Sequence, residues 1–553
     1  MHIPDRGLLE WLDDPSTERG LYYADSGDSW NFWSYRDLTD LVLRTAAALQ
    51  AGGVRPGDVV ALVQRSSPGF VAGFFGALAA GATPCSIAPP FAFQRADDYE
   101  KHAAHLFATA QPRFTISDDE SLERIRKVTA TAGLDEPVVF EHLIDGVEPL
   151  ERPLPLPETA LLQFTSGSSG FSRGVRISSR ALQDNLTGMR RWLEWKPEHP
   201  CSSWLPVHHD MGLIGCLLNF IVTGCDGWMM QPDDFIRSPL RFLRCLSDRR
   251  IVRTAMPNFA LAYIQRRVKP AALEGFRFDA LQSLIIGAER ISPQVLTDFH
   301  ALLEPYGLRR DALLPAYGGA EATLAVTGLP LREGWSAHTP DDATAESFGG
   351  APVVGCGRPL EGRTVRIVSE DGEELPDRSV GEIVVTGVSI ASGYVGDPGS
   401  ASGTSLGQEL KTGDAGFLHD GQLFVIGRLG DGLKVNGRMV FAESLETMLH
   451  ERGIPERCLA VLLGHREGVP TGVAVFGGVQ PGWRTIAHEV FTEWLGDAEL
   501  LTVELPRGGI AVTSSGKPRR RVIWSALCAG KLPAEAKPLV ADPVAEPAAE
   551  PVA

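Results

Sequence analysis

Apolar positions in the first part of the chain alternate between two periods. Leu38, Leu41, Val42, Thr45 and Leu49 recur at three- and four-residue spacing, and Gly52-Gly53 follows them. That spacing predicts a helix with one buried face, ended by glycine. The turn Pro56-Gly57-Asp58 opens an unbroken apolar run at 59–63, the pattern of a strand covered on both faces. A second helix is predicted over 69–80, an extended segment at Thr83-Pro84-Cys85-Ser86 and a strand at Phe114-Thr115-Ile116. Strands alternating with helices predict a parallel sheet with helices on both faces. The stretch 148–158 carries four prolines and reads as a connector.

Beyond it the apolar segment Leu161-Leu162-Gln163-Phe164 meets ten residues, 165–174, reading Thr-Ser-Gly-Ser-Ser-Gly-Phe-Ser-Arg-Gly. Val175-Arg176-Ile177 leads from them to a helix start at Ser178-Ser179, with Leu182, Leu186, Met189 and Trp192 as its stripe. Residues 203–207 read as a strand that delivers His208-His209-Asp210. Another, at 284–286, ends at Gly287-Ala288-Glu289, and a third, at 312–314, runs into Pro315-Ala316-Tyr317-Gly318-Gly319-Ala320-Glu321. Open α/β sheets bind ligands beyond the carboxyl ends of strands, so these three ends are predicted to share one site. The apolar stretch 211–223 is too short to span a bilayer and reads as a buried helix. From about 362 the texture changes to short strands (364–368, 381–385, 423–426), a β subdomain. A helix at 444–449 opens a smaller α/β unit ending near 532, and 533–553, rich in Ala, Pro, Glu and Val, reads as a disordered tail.

Composition narrows the function. A chain of 553 residues is long enough for two or three domains. Its net charge of −17 argues against a nucleic-acid partner or an anionic membrane surface. Eight scattered cysteines without a Cys-x-x-Cys pair suit neither zinc nor disulfides, and predict a reducing, cytoplasmic setting. The first residues, Met-His-Ile-Pro-Asp-Arg, have no signal-peptide core. Residues 165–174 cannot supply core. They offer hydroxyls and open backbone N–H groups, which wrap an oligophosphate. The Gly-Lys-Ser/Thr ending of the Walker loop is missing. A flexible linker is the alternative, disfavoured by the ordered apolar segments on both sides.

Six motifs in one order carry a resemblance. They are Phe164-Thr-Ser-Gly-Ser-Ser-Gly170; Trp204-Leu-Pro-Val-His-His-Asp-Met-Gly-Leu-Ile-Gly215; Gly287-Ala-Glu289; Tyr317-Gly-Gly-Ala-Glu-Ala-Thr323; Thr412-Gly-Asp414 with Gly427-Arg428; and Thr513-Ser-Ser-Gly-Lys517. Over about 30–532 the chain resembles the adenylate-forming superfamily of acyl-CoA synthetases, adenylation domains and luciferases, and within it the fatty acyl-AMP ligases. The resemblance implies an α/β fold: a large N-terminal domain with doubly wound sheets and a β subdomain (1–428), then a small mobile α+β domain (429–532). It implies ATP and Mg²⁺ as cofactors, a carboxylic acid substrate and an acyl-adenylate product. No phosphopantetheine attachment sequence follows Lys517, so the implied carrier protein is a separate chain. Thr165, Ser166, Gly167, Ser168, Ser169, Gly170 and Arg173 would hold the β- and γ-phosphates. Gly287, Ala288 and Glu289, with Ala316, Tyr317, Gly318, Gly319 and Ala320, would form the adenine slot. Asp414 would take the ribose hydroxyls, supported by Arg428. Glu321 would ligate Mg²⁺, His209 would stand near the reacting carboxylate, and Lys517 would bridge carboxylate and α-phosphate. His208 is expected to be a packing or solvent-facing neighbour.

Three features depart from the resembled pattern. Arg173 and Ser172 stand where Lys and Pro are usual, and Gly430 lies where the hinge near 427–431 usually has Asp or Lys. The 321–355 connection is intermediate in length between CoA ligases and typical acyl-AMP ligases. CoA or an amine as acceptor, and a degenerate nucleotide-binding relative, therefore stay open.

Overall fold

The computed structural model describes residues 7–25, 27–90, 96–165, 172–339, 352–396, 409–435, 438–466, 468–512 and 517–542. Two large sheets dominate. The first runs Gly393–Tyr394, Gly174–Ser178, Thr159–Phe164, Thr83–Ser86, Val59–Val63, Phe114–Ser117, Val138–Val139. Its strands from Thr159–Phe164 onward are parallel, and the first two pair antiparallel at the edge. The second has nine strands, with Leu313–Gly318, Ser283–Gly287, Arg253–Pro257, Cys201–Ser203 and Gly227–Met229 parallel at its centre. Helix Pro68–Ala79 is buried along its whole length from Gly69, as a helix without a polar face must be. Helix Tyr35–Ala51 is held at its start by a reciprocal cap between Ser34 and Asp37.

The predicted α/β class with a β subdomain describes the molecule. The four-stranded antiparallel sheet Arg363–Val368, Gly381–Gly387, Glu409–His419, Gln422–Arg428 includes one long strand that the sequence pattern did not announce. Glu409–His419 is broken in mid-course by Gly413 at φ +71°, which hides its period. The small C-terminal unit is a sheet of Leu459–Arg466, Val469–Gly477, Glu499–Leu505 and Lys537–Pro538, with helices Ala442–Glu451, Trp483–Leu495 and Arg520–Cys528.

Several readings need correction. Residues 203–207 are not a strand: the strand is Cys201–Ser203, and Pro206, without an N–H, stands in the irregular segment that follows. The buried helix predicted at 211–223 is a π-helix, Met211–Leu218, continued by the α-turns Asn219–Thr223. Asn219 donates its side-chain amide to the Ile214 carbonyl (3.0 Å) within the widened turn. The strand placed at 312–314 is Leu313–Gly318, which carries Ala316 and Tyr317 in the sheet. Part of 533–542 is anchored to the sheet, although most of it is exposed: Lys537–Pro538 pairs with Glu499–Leu505, and Leu539 is 3% exposed. One buried Leu and one strand pairing tie down a segment whose composition alone predicts no structure. The stretch 543–553 lies outside the described residues. Among those described, no helix is long and apolar enough to cross a membrane.

Candidate active site

The irregular chain after Cys201–Ser203 and the ends of Ser283–Gly287 and Leu313–Gly318 open into one cleft of about 590 Å³. Thr165, Arg173, His209, Gly287, Ala288, Glu289, Ala316, Tyr317, Gly318, Gly319, Ala320, Glu321, Asp414, Arg428 and Lys517 all line it. Every candidate residue that is described therefore stands at this cleft. Ser166, Gly167, Ser168, Ser169 and Gly170 lie outside the described residues. The loop's ends meet: Thr165 donates its N–H to the Arg173 carbonyl (3.0 Å), and its hydroxyl accepts the Arg173 N–H (3.2 Å).

One wall is a polar network. Tyr317 donates its hydroxyl to Asp414 Oδ2 (2.6 Å), and Arg428 Nε lies 2.8 Å from Oδ1. Asp414 and Arg428 face each other across the antiparallel pair of Glu409–His419 and Gln422–Arg428, so strand register sets their approach. Burial lifts the Asp414 carboxyl above its ordinary value, with Arg428 and Tyr317 opposing the rise. Gly318 is required beside Tyr317: a Cβ there would sit 1.7 Å from the Leu324 carbonyl oxygen.

Lys517 enters from the small unit and donates to the Ala288 carbonyl. Burial pulls its ammonium below the usual lysine range, while Glu289, Asp210 and Asp414 push the other way. Ala288 holds a left-handed backbone (φ +67°), uncommon for a side chain with a Cβ. Glu289 accepts the Phe259 N–H (2.5 Å) and is pushed up to about 7 by burial. His209 is pushed down to about 4, first by burial and then by Lys517, so its imidazole is neutral near pH 7. His208 is buried rather than solvent-facing, its ring 4.6 Å from that of His209.

Glu321 lies in the turn Ala320–Ala322. Its Oε1 accepts the Tyr394 hydroxyl (3.0 Å), and Arg173 Nη2 is 3.9 Å away. Its Oε2 has no hydrogen bond among the described residues. A single carboxylate with one oxygen to spare, near Arg173 at the end of the Gly/Ser loop, fits Mg²⁺, which keeps waters and phosphate oxygens as its other ligands. Among the described residues one group of three potential metal ligands clusters, Asp377, His419 and Asp420, and it does not line the cleft.

Much of the remaining lining is apolar and includes Trp204, Leu205, Met211, Ile236, Phe259 and Leu324. Gly212 belongs to it, and a Cβ there would lie 2.3 Å from the Pro206 carbonyl oxygen. Backbone cannot yield as a flexible side chain does. Gly212→Ala should therefore cost about 1–3 kcal/mol, the usual range for overpacking. Thermal denaturation of the full chain reads this as a lower melting temperature. A melt matching wild type would contradict the packing.

Sequence reasoning did not single out Arg290, Glu443, Arg457 and Tyr394. The first three line the cleft, and Arg290 donates to Ser444 Oγ across the two units (3.1 Å). Only Arg290 had a signal, its place directly after Gly287-Ala-Glu289. At the expected hinge, the charge missing at Gly430 stands one residue on. Asp431 is 8% exposed and 3.5 Å from Arg520, which also pairs with Glu443 and Glu446.

Residues 13–395 match the family of AMP-binding enzymes. The chain is 30% identical over 511 residues to a putative fatty-acid–CoA ligase, FadD21, of Mycobacterium tuberculosis, covering 84% of this chain and 86% of that protein. It is 29% identical over 514 residues to the long-chain-fatty-acid–AMP ligase FadD26 of Mycobacterium marinum, with the same coverage. A structure from studies of fatty acyl-adenylate ligases of E. coli and L. pneumophila aligns with a TM-score of 0.87 at 27% identity, over 95% of this chain and 98% of that one. A fatty acyl-adenylate ligase from L. pneumophila, solved with acyl adenylate and pyrophosphate, aligns with a TM-score of 0.68 at 25% identity, over 96% of each. The chain belongs to the AMP-binding enzyme family. It is an adenylate-forming ligase, and ATP is the nucleotide it uses.

Proposed function

We propose that this ligase activates a fatty or related carboxylic acid as its acyl-adenylate and passes the acyl group to the phosphopantetheine thiol of a separate acyl carrier protein. In the first step a carboxylate oxygen attacks the α-phosphorus of ATP, the bond to the β-phosphate oxygen breaks, and pyrophosphate leaves. Both reactants are anions, so cations must spread the developing charge. The observation that carries the reading is Lys517: it comes from the small unit yet stands in the cleft, among His209, Asp414 and Glu289. Lys517 would bridge carboxylate and α-phosphate, and neutral His209 would stand beside the acid without adding charge.

Asp414 and Arg428 would hold the ribose. Gly287, Ala288, Glu289, Ala316, Tyr317, Gly318, Gly319 and Ala320 would enclose adenine. Thr165, Ser166, Gly167, Ser168, Ser169, Gly170 and Arg173 would steer the leaving pyrophosphate. Glu321 would hold Mg²⁺, which supplies charge neutralisation on the phosphates. The apolar lining supports an alkyl rather than a charged acyl group. For transfer, residues 429–532 would rotate about 427–431 against 1–428 and withdraw Lys517. The scattered, unpaired cysteines support a reducing cytoplasm as the compartment.

CoA as acceptor is the second reading, favoured by the similarity to a protein described as a CoA ligase. Pyrophosphate release over a panel of fatty, aryl and β-amino acids, followed by thioester capture on a carrier protein or on CoA, separates the two. Carrier loading with little acyl-CoA is the expected result, and rapid acyl-CoA formation would overturn the carrier assignment.

A further inference from the structure

Residues 389–395 belong to none of the six motifs, yet they tie two of them together. The Ala391 N–H reaches the Glu321 carbonyl (2.9 Å), and the Thr323 hydroxyl donates to the Ser389 carbonyl (2.6 Å). On the other side, Ser392 and Val395 donate their N–H groups to the carbonyls of Arg176 and Gly174 (2.8 Å each). Gly393–Tyr394 is thereby an edge strand paired to Gly174–Ser178, the strand that follows the Gly/Ser loop. Thr323 takes φ +68° and ψ −58°, a costly conformation for a β-branched residue, held by its bond to this segment.

Tyr394 occupies the centre of this brace and is 5% exposed. Its hydroxyl donates to Glu321 Oε1 (3.0 Å) and accepts from Arg173 Nη2 (2.8 Å). The Arg173 guanidinium lies 3.8 Å from the ring centroid, a stacked cation on an aromatic face. A lysine at 173 would offer a point charge and no planar group to stack.

We propose that Tyr394 is the positioning residue of the metal–phosphate end of the site. Its hydroxyl engages Glu321 Oε1 and leaves Oε2 for the divalent cation, and its ring holds the Arg173 guanidinium at the phosphate end of the site. This rests on the reading of Glu321 as the metal carboxylate. It predicts that losing the hydroxyl acts chiefly on metal binding, because the ring still holds Arg173, and that losing the ring as well releases Arg173.

The test is calorimetric titration of the full chain with α,β-methylene-ATP, with and without Mn²⁺. In wild type Mn²⁺ should tighten nucleotide binding. Tyr394→Phe keeps the ring and should cut that gain roughly tenfold, the scale of one hydrogen bond to a charged group, while metal-free affinity stays put. Tyr394→Leu loses the stack as well and should also weaken metal-free binding. Thermal melts of both variants confirm that they fold. Glu321→Gln should abolish the Mn²⁺ gain. If it does and Tyr394→Phe keeps the full gain, the role given to Tyr394 is wrong while that of Glu321 stands. If Glu321→Gln keeps the gain, both fall.

Discussion

Lys517→Ala should lower acyl-adenylate formation by about a thousandfold, the upper scale for removing one preorganised group aimed at developing charge. The site explains why the loss is so large. Carboxylate and α-phosphate repel each other, and Asp414, Glu289 and Asp210 add acidic groups around the same ammonium. Without Lys517 the cleft would confront two anions with its own acids. ATP binding should survive, because Asp414, Arg428 and the Gly/Ser loop do not depend on this side chain. ATP–pyrophosphate exchange measures the first expectation and nucleotide calorimetry the second. Transfer from preformed acyl-adenylate should also persist, since the proposed mechanism gives the lysine a part in the first step alone. Exchange within tenfold of wild type would remove Lys517 from the chemistry.

Asp414→Ala should reduce kcat/KM for ATP about a hundredfold, on the scale of two hydrogen bonds to a charged group. The same change strips the Tyr317 hydroxyl of its acceptor and leaves Arg428, 2.8 Å away, without its carboxylate. Losing the Tyr317 hydrogen bond and the Arg428 ion pair together removes two stabilising contacts, so the melting temperature should drop as well. Asp414→Asn keeps the shape and separates the two effects: it should restore part of the melting temperature and little of the ATP affinity. Steady-state kinetics over ATP concentration, beside thermal melts, check both. An unchanged KM for ATP would refute the ribose assignment.

Where a motif rides on a regular strand, the sequence placed it well. Val59–Val63 and Ser283–Gly287 read correctly because short apolar runs between turn residues leave few alternatives. The readings that failed share a cause, competition between local pattern and long-range packing. Trp204, Leu205 and Val207 look like strand residues, yet they are buried in an irregular segment that carries His209 into the cleft. Leu539 and its neighbours read as tail because their only partner in the sheet, Glu499–Leu505, lies more than thirty residues away. Asp431 was overlooked beside Gly430 because its partner Arg520 is distant in the chain.

The sequence by itself determined the α/β class, the ordered motifs and the types of residue needed to bring two anions together. Those depend on local pattern and on chemistry carried by each side chain. Only the tertiary structure decided that Tyr317, Asp414 and Arg428 form one network, that Lys517 reaches Ala288 from another unit, and that Tyr394 joins Arg173 to Glu321. These contacts join residues separated by as many as 229 positions. Each is set by strand register, or by the packing of one unit on another, which no local periodicity encodes.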